Sequence, residues 1–237
     1  MVGLGTLINV ALILVGGAVG LVAGRLVAPR VQEGLLRATG VAVLFIGLAG
    51  ALEGMLSVEG GELVSGGTAV VVASLALGTL AGELLDIEAA FERLGIWLRR
   101  VSGNAENERF LDAFLTATFT VCIGAMAVVG SIQDGILGDW STLALKGVLD
   151  ALIIAAMTAS MGVGCLFSAL PVGVLQGGIT LLARAIEPVM TEAALANLSM
   201  VGSILIFCVG VNLIWPRTFS TANMLPAVVV AVVLALV

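Results

Sequence analysis

The sequence predicts an all-α protein, a polytopic transmembrane helical bundle of about eight spans, and two observations predict it. Of 237 residues, 60% are hydrophobic and only 11% charged, against roughly a quarter charged in an average soluble domain. The charges are also gathered into short stretches, which leaves apolar runs close to the ~20 residues a spanning helix needs. The whole of 1–237 is therefore read as a single integral membrane domain, with the lipid bilayer as its first partner.

The apolar runs fall at 3–27, 38–56, 66–85, 110–131, 143–168, 172–187, 196–215 and 222–237. Met1 leads straight into the first run without a basic leader, so that run is expected to stay as an anchor. The sixth run is the shortest. Bounded by Pro171 and Pro188, it reads either as a short or tilted span or as a re-entrant arm. The polar stretch 84–109 carries Leu84, Leu85, Ile87, Phe91, Leu94 and Leu98 at helical spacing opposite a charged face. It is expected to be a cytoplasmic amphipathic helix or an extension of the third span.

Basic residues give the orientation, because arginine and lysine near span ends stay cytoplasmic. Arg25, Arg30, Arg37, Arg93, Arg99, Arg100, Arg109 and Arg217 fall in odd-numbered loops, and only Lys146 and Arg184 in even-numbered ones. A multi-pass protein of the bacterial cytoplasmic (inner) membrane with both termini outside is expected.

A repeat connects the two ends of the chain. Leu14-Val15-Gly16-Gly17 followed by Arg25 and Pro29 matches Leu175-Gln176-Gly177-Gly178 followed by Arg184 and Pro188. Ala69 to Ala73 likewise matches Ala227 to Ala231. Segments 3–85 and 172–237 are thus repeat-like, pairing spans one to three with spans six to eight. A shift of five spans reverses direction across the membrane, so the copies are expected to be inverted, an arrangement that recurs in secondary transporters. A re-entrant sixth segment would remove that parity.

Composition excludes several chemistries. With 16 acids, 10 bases and a net charge of −6, there is no basic face for nucleic acid. Histidine and tyrosine are absent, and no Walker loop or dinucleotide fingerprint is present. No enzymatic activity, catalytic residue or cofactor is expected. Cys122, Cys165 and Cys208 lie inside apolar runs and read as packing residues.

The densest polar pattern lies around spans four and five. Gln133, Asp134 and Asp139 occupy a glycine-punctuated segment, read as a loop able to offer oxygen ligands to a hard cation or as a plain solvated turn. Lys146 and Asp150 are four apart and share a helix face, continued by Thr158. An ionised Asp150 inside an apolar run costs about 2.5–3.5 kcal/mol unless partnered. That marks it as a candidate site, against the plainer reading of a pair that fastens the helix. Asn9 and Asn223, polar residues at span edges, either line a cavity or cap and bridge helices. Glycine ladders at Gly16, Gly20 and Gly24, at Gly50 and Gly54, and at Gly78 and Gly82 predict close helix contacts within one chain or in a homo-oligomer.

The span Gly5-Thr6-Leu7-Ile8-Asn9, the Gly82-Glu83 pair, the segment Asp134-Gly135 to Gly138-Asp139, Lys146 to Asp150, and Asn223-Met224-Leu225-Pro226 occur together over nearly the whole chain. In this combination the chain resembles the bacterial inner-membrane family known as domain of unknown function 554. The resemblance implies a polytopic membrane protein and supplies neither a substrate nor a set of binding residues.

The residues themselves suggest a small secondary transporter or ion-permeation protein for an ion or solute, with Asp150 as the cation or proton site and Lys146 as its charge partner. Gln133, Asp134, Asp139, Thr158, Asn9 and Asn223 are the further candidates. The alternative is a non-transporting scaffold or sensor whose segment 84–109 docks a partner.

Overall fold

The computed structural model describes residues 2–26, 28–122, 125–216 and 218–236. The chain forms α1 (Leu4–Leu26), α2 (Pro29–Met55), a hairpin of β1 (Leu56–Glu59) and β2 (Glu62–Ser65), α3 (Thr68–Leu85) and α4 (Ile87–Val101). It continues through α5 (Phe110–Cys122), α6 (Ala125–Leu137), α7 (Ser141–Met161), a 3-10 turn at Val163–Ser168, α8 (Ala169–Leu181), the short α9 (Ala183–Ile186), α10 (Glu192–Ile214) and α11 (Pro226–Leu234).

Among the described residues, six helical segments are long and apolar enough to cross a membrane: α1, α2, α3, α7, Val163–Leu181 and α10. A seventh crossing is made if α5 and α6, which meet at 63°, count as one broken span. Leu14, Val19, Phe45, Leu80, Leu152 and Val229 are among many large apolar side chains left exposed, as a lipid-facing surface requires.

The expected boundaries change in four places. The fifth run ends at Met161, because Gly162 at φ +96 breaks the helix. The sixth crossing accordingly begins at Val163 and spans 19 residues, with Pro171 in the first turn of α8, where its missing N–H costs no helical bond. The fourth run reaches Leu137 as two helices. The eighth yields only the nine-residue α11, too short by itself to cross.

Segment 84–109 is not a continuation of α3. Asp86 adopts φ +49, the one left-handed non-glycine residue among those described, and turns the chain into α4. Leu98 of α4 is buried with Phe110 and Phe114 of α5, and Phe91 stacks edge-on to Phe119 at 5.1 Å. Much of the apolar face of α4 is therefore covered by the chain itself, although Trp97 and Val101 stay exposed. The β1–β2 hairpin turns at Gly60-Gly61, both with positive φ, as a two-residue hairpin loop demands.

Glycine sets the helix pairings. A Cβ on Gly16 would lie 2.3 Å from Ala151 O, one on Gly20 2.3 Å from Ala155 O, and one on Gly24 2.7 Å from Ala159 O. These positions rise together, so α1 and α7 run parallel with their backbones in contact. Gly40 meets Leu213 and Ile214, while Gly54 meets Met200, which makes α2 and α10 antiparallel. Gly78 against Ala227 and Gly82 against Asn223 make α3 and α11 antiparallel as well. Gly17 against Leu166 and Gly173 against Val10 do the same for α1 and the sixth crossing. The ladders read from the sequence thus serve contacts within one chain.

Candidate functional site

The Lys146–Asp150 pair forms as the spacing predicts. Both residues lie on the buried side of α7, at 6% and 4% exposure, and the ammonium is bonded to Asp150 Oδ2. Lys146 Nζ also donates to Val121 O at 2.8 Å. Val121 is the penultimate residue of α5, among the last carbonyls of a helix, which have no partner in the helical ladder. Lys146 therefore sits inside a span and joins its own helix and the Asp150 carboxylate to the end of α5. Asn9 of α1 is fully buried and within interaction range of the Asp150 carboxylate, yet neither of its amide atoms closes a hydrogen bond.

Thr158 is buried on the same face, two turns on, where it packs against Gly20 and leaves Oγ1 without a bond. Gln133 and Asp134 lie on α6 and not in a loop. Gln133 Oε1 accepts from Thr142 Oγ1 at 2.7 Å. Asp134 is fully buried, and its Oδ2 accepts from Gly5 N at 3.0 Å, which places the carboxylate at the start of α1. Helix N-termini attract such negative charge. Asp134 Oδ1 is unpartnered.

Two candidates lie apart from this group. Asp139 is exposed and accepts from Ser141 N at 3.0 Å, a bond that starts α7 and holds its carboxyl below the usual range. Asn223 Oδ1 accepts from Glu88 N at 2.8 Å, so its amide anchors the start of α4. The structure thus gathers Asn9, Asp134, Lys146, Asp150 and Thr158 into the interior and leaves Asp139 and Asn223 as helix-end bonds.

Sequence reasoning missed a cavity of about 990 Å³ at the end of the bundle where α7 and α10 finish and α2 and α5 begin. Arg30, Glu33, Glu88, Glu92, Arg109 and Asp112 supply its charges. Burial pushes the Glu88 carboxyl up, and Glu92, Glu83 and Asp86 add to that, while a hydrogen bond with Ser220 opposes it. Phe119 also lines the cavity, two residues from the carbonyl that holds Lys146. Helix α5 thus runs from the vestibule lining to the carbonyl that holds Lys146. Arg25 ends α1, while Arg217 lies outside the described residues.

Also missed were Thr6, Ser131, Gln176 and Thr180, all buried polar residues with unpartnered atoms. Gln176 and Thr180 stand four apart in an apolar run, a spacing that could have marked a polar stripe. The three cysteines are free, with Cys165 and Cys208 buried in the packing.

A match to the family described as "Protein of unknown function (DUF554)" runs over residues 4–236. The chain belongs to the DUF554 family. It is 24% identical over 226 residues to the "Uncharacterized membrane protein YdfK" of Bacillus subtilis (strain 168), covering 95% of this chain and 93% of that one. It is 26% identical over 236 residues to the "Uncharacterized protein YqgA" of Escherichia coli (strain K12), covering 98% and 96%. No solved structure matches. Membership in the DUF554 family together with the apolar helices makes this a multi-pass membrane protein.

Proposed function

We propose that this protein is a small secondary transporter or ion-permeation protein in which Asp150 binds the moving cation or proton and Lys146 is its exchangeable charge partner. One observation carries the reading: a buried ion pair tied to a carbonyl near the end of α5, a helix that also lines a charged vestibule. Broken helices with exposed carbonyls are the usual ion sites of such proteins. A lysine that can release Asp150 to a cation and return afterwards supplies a two-state element without a cofactor or an enzymatic step.

The helix directions support the inverted repeat as part of this reading. The segments it pairs, α1 with α8, α2 with α10 and α3 with α11, run antiparallel and in contact. The glycine pairs do not share a role, since Gly16 and Gly17 are packed while Gly177 and Gly178 meet nothing within 4 Å. Arg25, Arg30 and Arg109 lie at or near the vestibule end, which on this reading faces the cytoplasm across the inner membrane and leaves the N-terminus outside, while α11, returning antiparallel along α3, carries the C-terminus back towards the outer side.

The test is flux in reconstituted vesicles, following protons and alkali cations under imposed gradients. Wild-type protein is expected to give saturable flux that Asp150→Asn reduces to near the level of empty vesicles. Undiminished flux in that variant would remove Asp150 from the pathway.

A further inference from the structure

At the opposite end from the vestibule, three helices each turn a pair of polar residues inward. Thr6 and Asn9 are three apart on α1, Ser131 and Asp134 three apart on α6, and Gln176 and Thr180 four apart on α8. Each pair therefore occupies one helix face. All six residues are at most 7% exposed. Each carries side-chain atoms without a hydrogen bond: the hydroxyls of Thr6, Ser131 and Thr180, both amide atoms of Asn9 and Gln176, and Oδ1 of Asp134.

The three helices touch one another beside these pairs. Gly5 N bonds Asp134 and so joins the start of α1 to α6. A Cβ on Gly135 would lie 2.4 Å from Thr180 O, which brings α6 against α8 one residue past Asp134. A Cβ on Gly173 would lie 3.3 Å from Val10 Cγ2, which brings α8 against α1 one residue past Asn9. The pairs thus converge on one interior region.

Isolated buried hydroxyls occur elsewhere, at Ser74, Thr118 and Thr158. Here a carboxylate oxygen and two amides join them, and each such group costs about 1–3 kcal/mol if left unpaired. Every one of the six residues can present an oxygen. Oxygen-only shells suit hard cations. The shell holds one carboxylate, and the neighbouring Lys146–Asp150 pair is neutral as a unit, so a single positive charge balances Asp134. A divalent ion would leave a charge uncompensated in a low-dielectric interior.

We infer that Thr6, Asn9, Ser131, Asp134, Gln176 and Thr180 form a binding site for a small monovalent cation, with Asp134 Oδ1 as its charged ligand. Asn9, which also lies beside Asp150, is shared between the two regions; Asp150 itself is not a ligand, and cation binding is an equilibrium property of the folded protein, independent of whether Asp150 carries flux.

The experiment uses purified full-length protein in detergent. Its thermal unfolding is followed against sodium chloride, potassium chloride and choline chloride at constant ionic strength, and radioactive sodium binding is measured by equilibrium dialysis. Sodium, or potassium in its place, is expected to raise the unfolding midpoint saturably where choline does not. Asp134→Asn should weaken that binding by about tenfold or more, since loss of even an outer-shell partner commonly costs that much. Ser131→Ala, which removes one neutral oxygen with little change in volume, should weaken it less and serves if Asp134→Asn does not fold. An alkali-cation effect absent from wild type, seen only with divalent ions, or unchanged in both variants would overturn the inference. Asp150→Asn is run in parallel. Binding lost there but kept in Asp134→Asn would move the cation to α7, overturning this site while leaving the transport reading intact.

Discussion

Along α1, the half from Gly16 to Gly24 and the half from Gly5 to Asn9 meet the rest of the protein in opposite ways. The later half is a close seam: three glycines lay their backbone on Ala151, Ala155 and Ala159 of α7, with no room for a Cβ, and the polar group packed there is a single hydroxyl, Thr158. The earlier half is polar. Gly5 N is bonded to Asp134, while Thr6 and Asn9 are buried with unpartnered atoms. The two buried acids differ in the same sense, since Asp150 is bonded to an ammonium and Asp134 keeps one oxygen free. A seam that admits no rearrangement beside a region with unsatisfied groups is how a rigid fulcrum would be set next to a site that changes occupancy.

The harshest way to break that contrast is to remove the cation that neutralises Asp150. Lys146→Met leaves a buried carboxylate alone, and breaking a buried pair costs about 3–5 kcal/mol. The variant should unfold far earlier in detergent melts. Lys146→Met combined with Asp150→Leu should recover most of the loss, because an apolar pair of similar volume carries no desolvation penalty. If the single variant melts like wild type, Lys146 is not holding Asp150 and the exchangeable-partner role fails.

How much of this could be read beforehand follows the same division. The close-packed half announces itself, since glycines at intervals of four in an apolar run signal close packing, and Lys146 and Asp150 are charges in a run that tolerates few. Ser131 carries no such signal, and Gln176 with Thr180 carries only the weaker one of a four-residue spacing. A single hydroxyl or amide in an apolar helix reads equally as inward or outward until its neighbours are known. Asp134 is harder to place for a local reason: Gly135 and Gly138 suggest a loop, yet Gly135 lies within α6, where its missing Cβ leaves room for Thr180 and Ala183. Pro171 suggested a boundary that Gly162 in fact makes. The vestibule draws on residues from Arg30 to Thr221, a grouping that no local spacing encodes.

A second prediction sharpens the contrast from the seam side. Gly20→Val would drive a branched side chain into Ala155 O and Thr158, where even a Cβ sits at 2.3 and 2.8 Å. Overpacking of this kind costs about 1–3 kcal/mol. Thermal unfolding should report that loss. The open Gly177, which meets nothing within 4 Å, should accept alanine with little change. Equal effects at the two positions would mean that the seam is not tight.

The smallest expected effect has the opposite sign and bears most directly on the polar half. Gln176 is 1% exposed and neither of its amide atoms is bonded. Gln176→Met keeps the length and nearly the volume while removing a donor and an acceptor that would otherwise stay unpaired. In alkali-free choline buffer the variant should therefore be more stable than wild type by about 1 kcal/mol. In sodium the advantage should shrink or reverse, because wild type regains through its ligand what the unpaired amide costs. Melts in the two buffers, compared for the two proteins, give the sign. A variant less stable than wild type in choline would mean that the Gln176 amide is already satisfied without a cation, and the unsatisfied half of α1 would then be as closed a structure as the seam beside it.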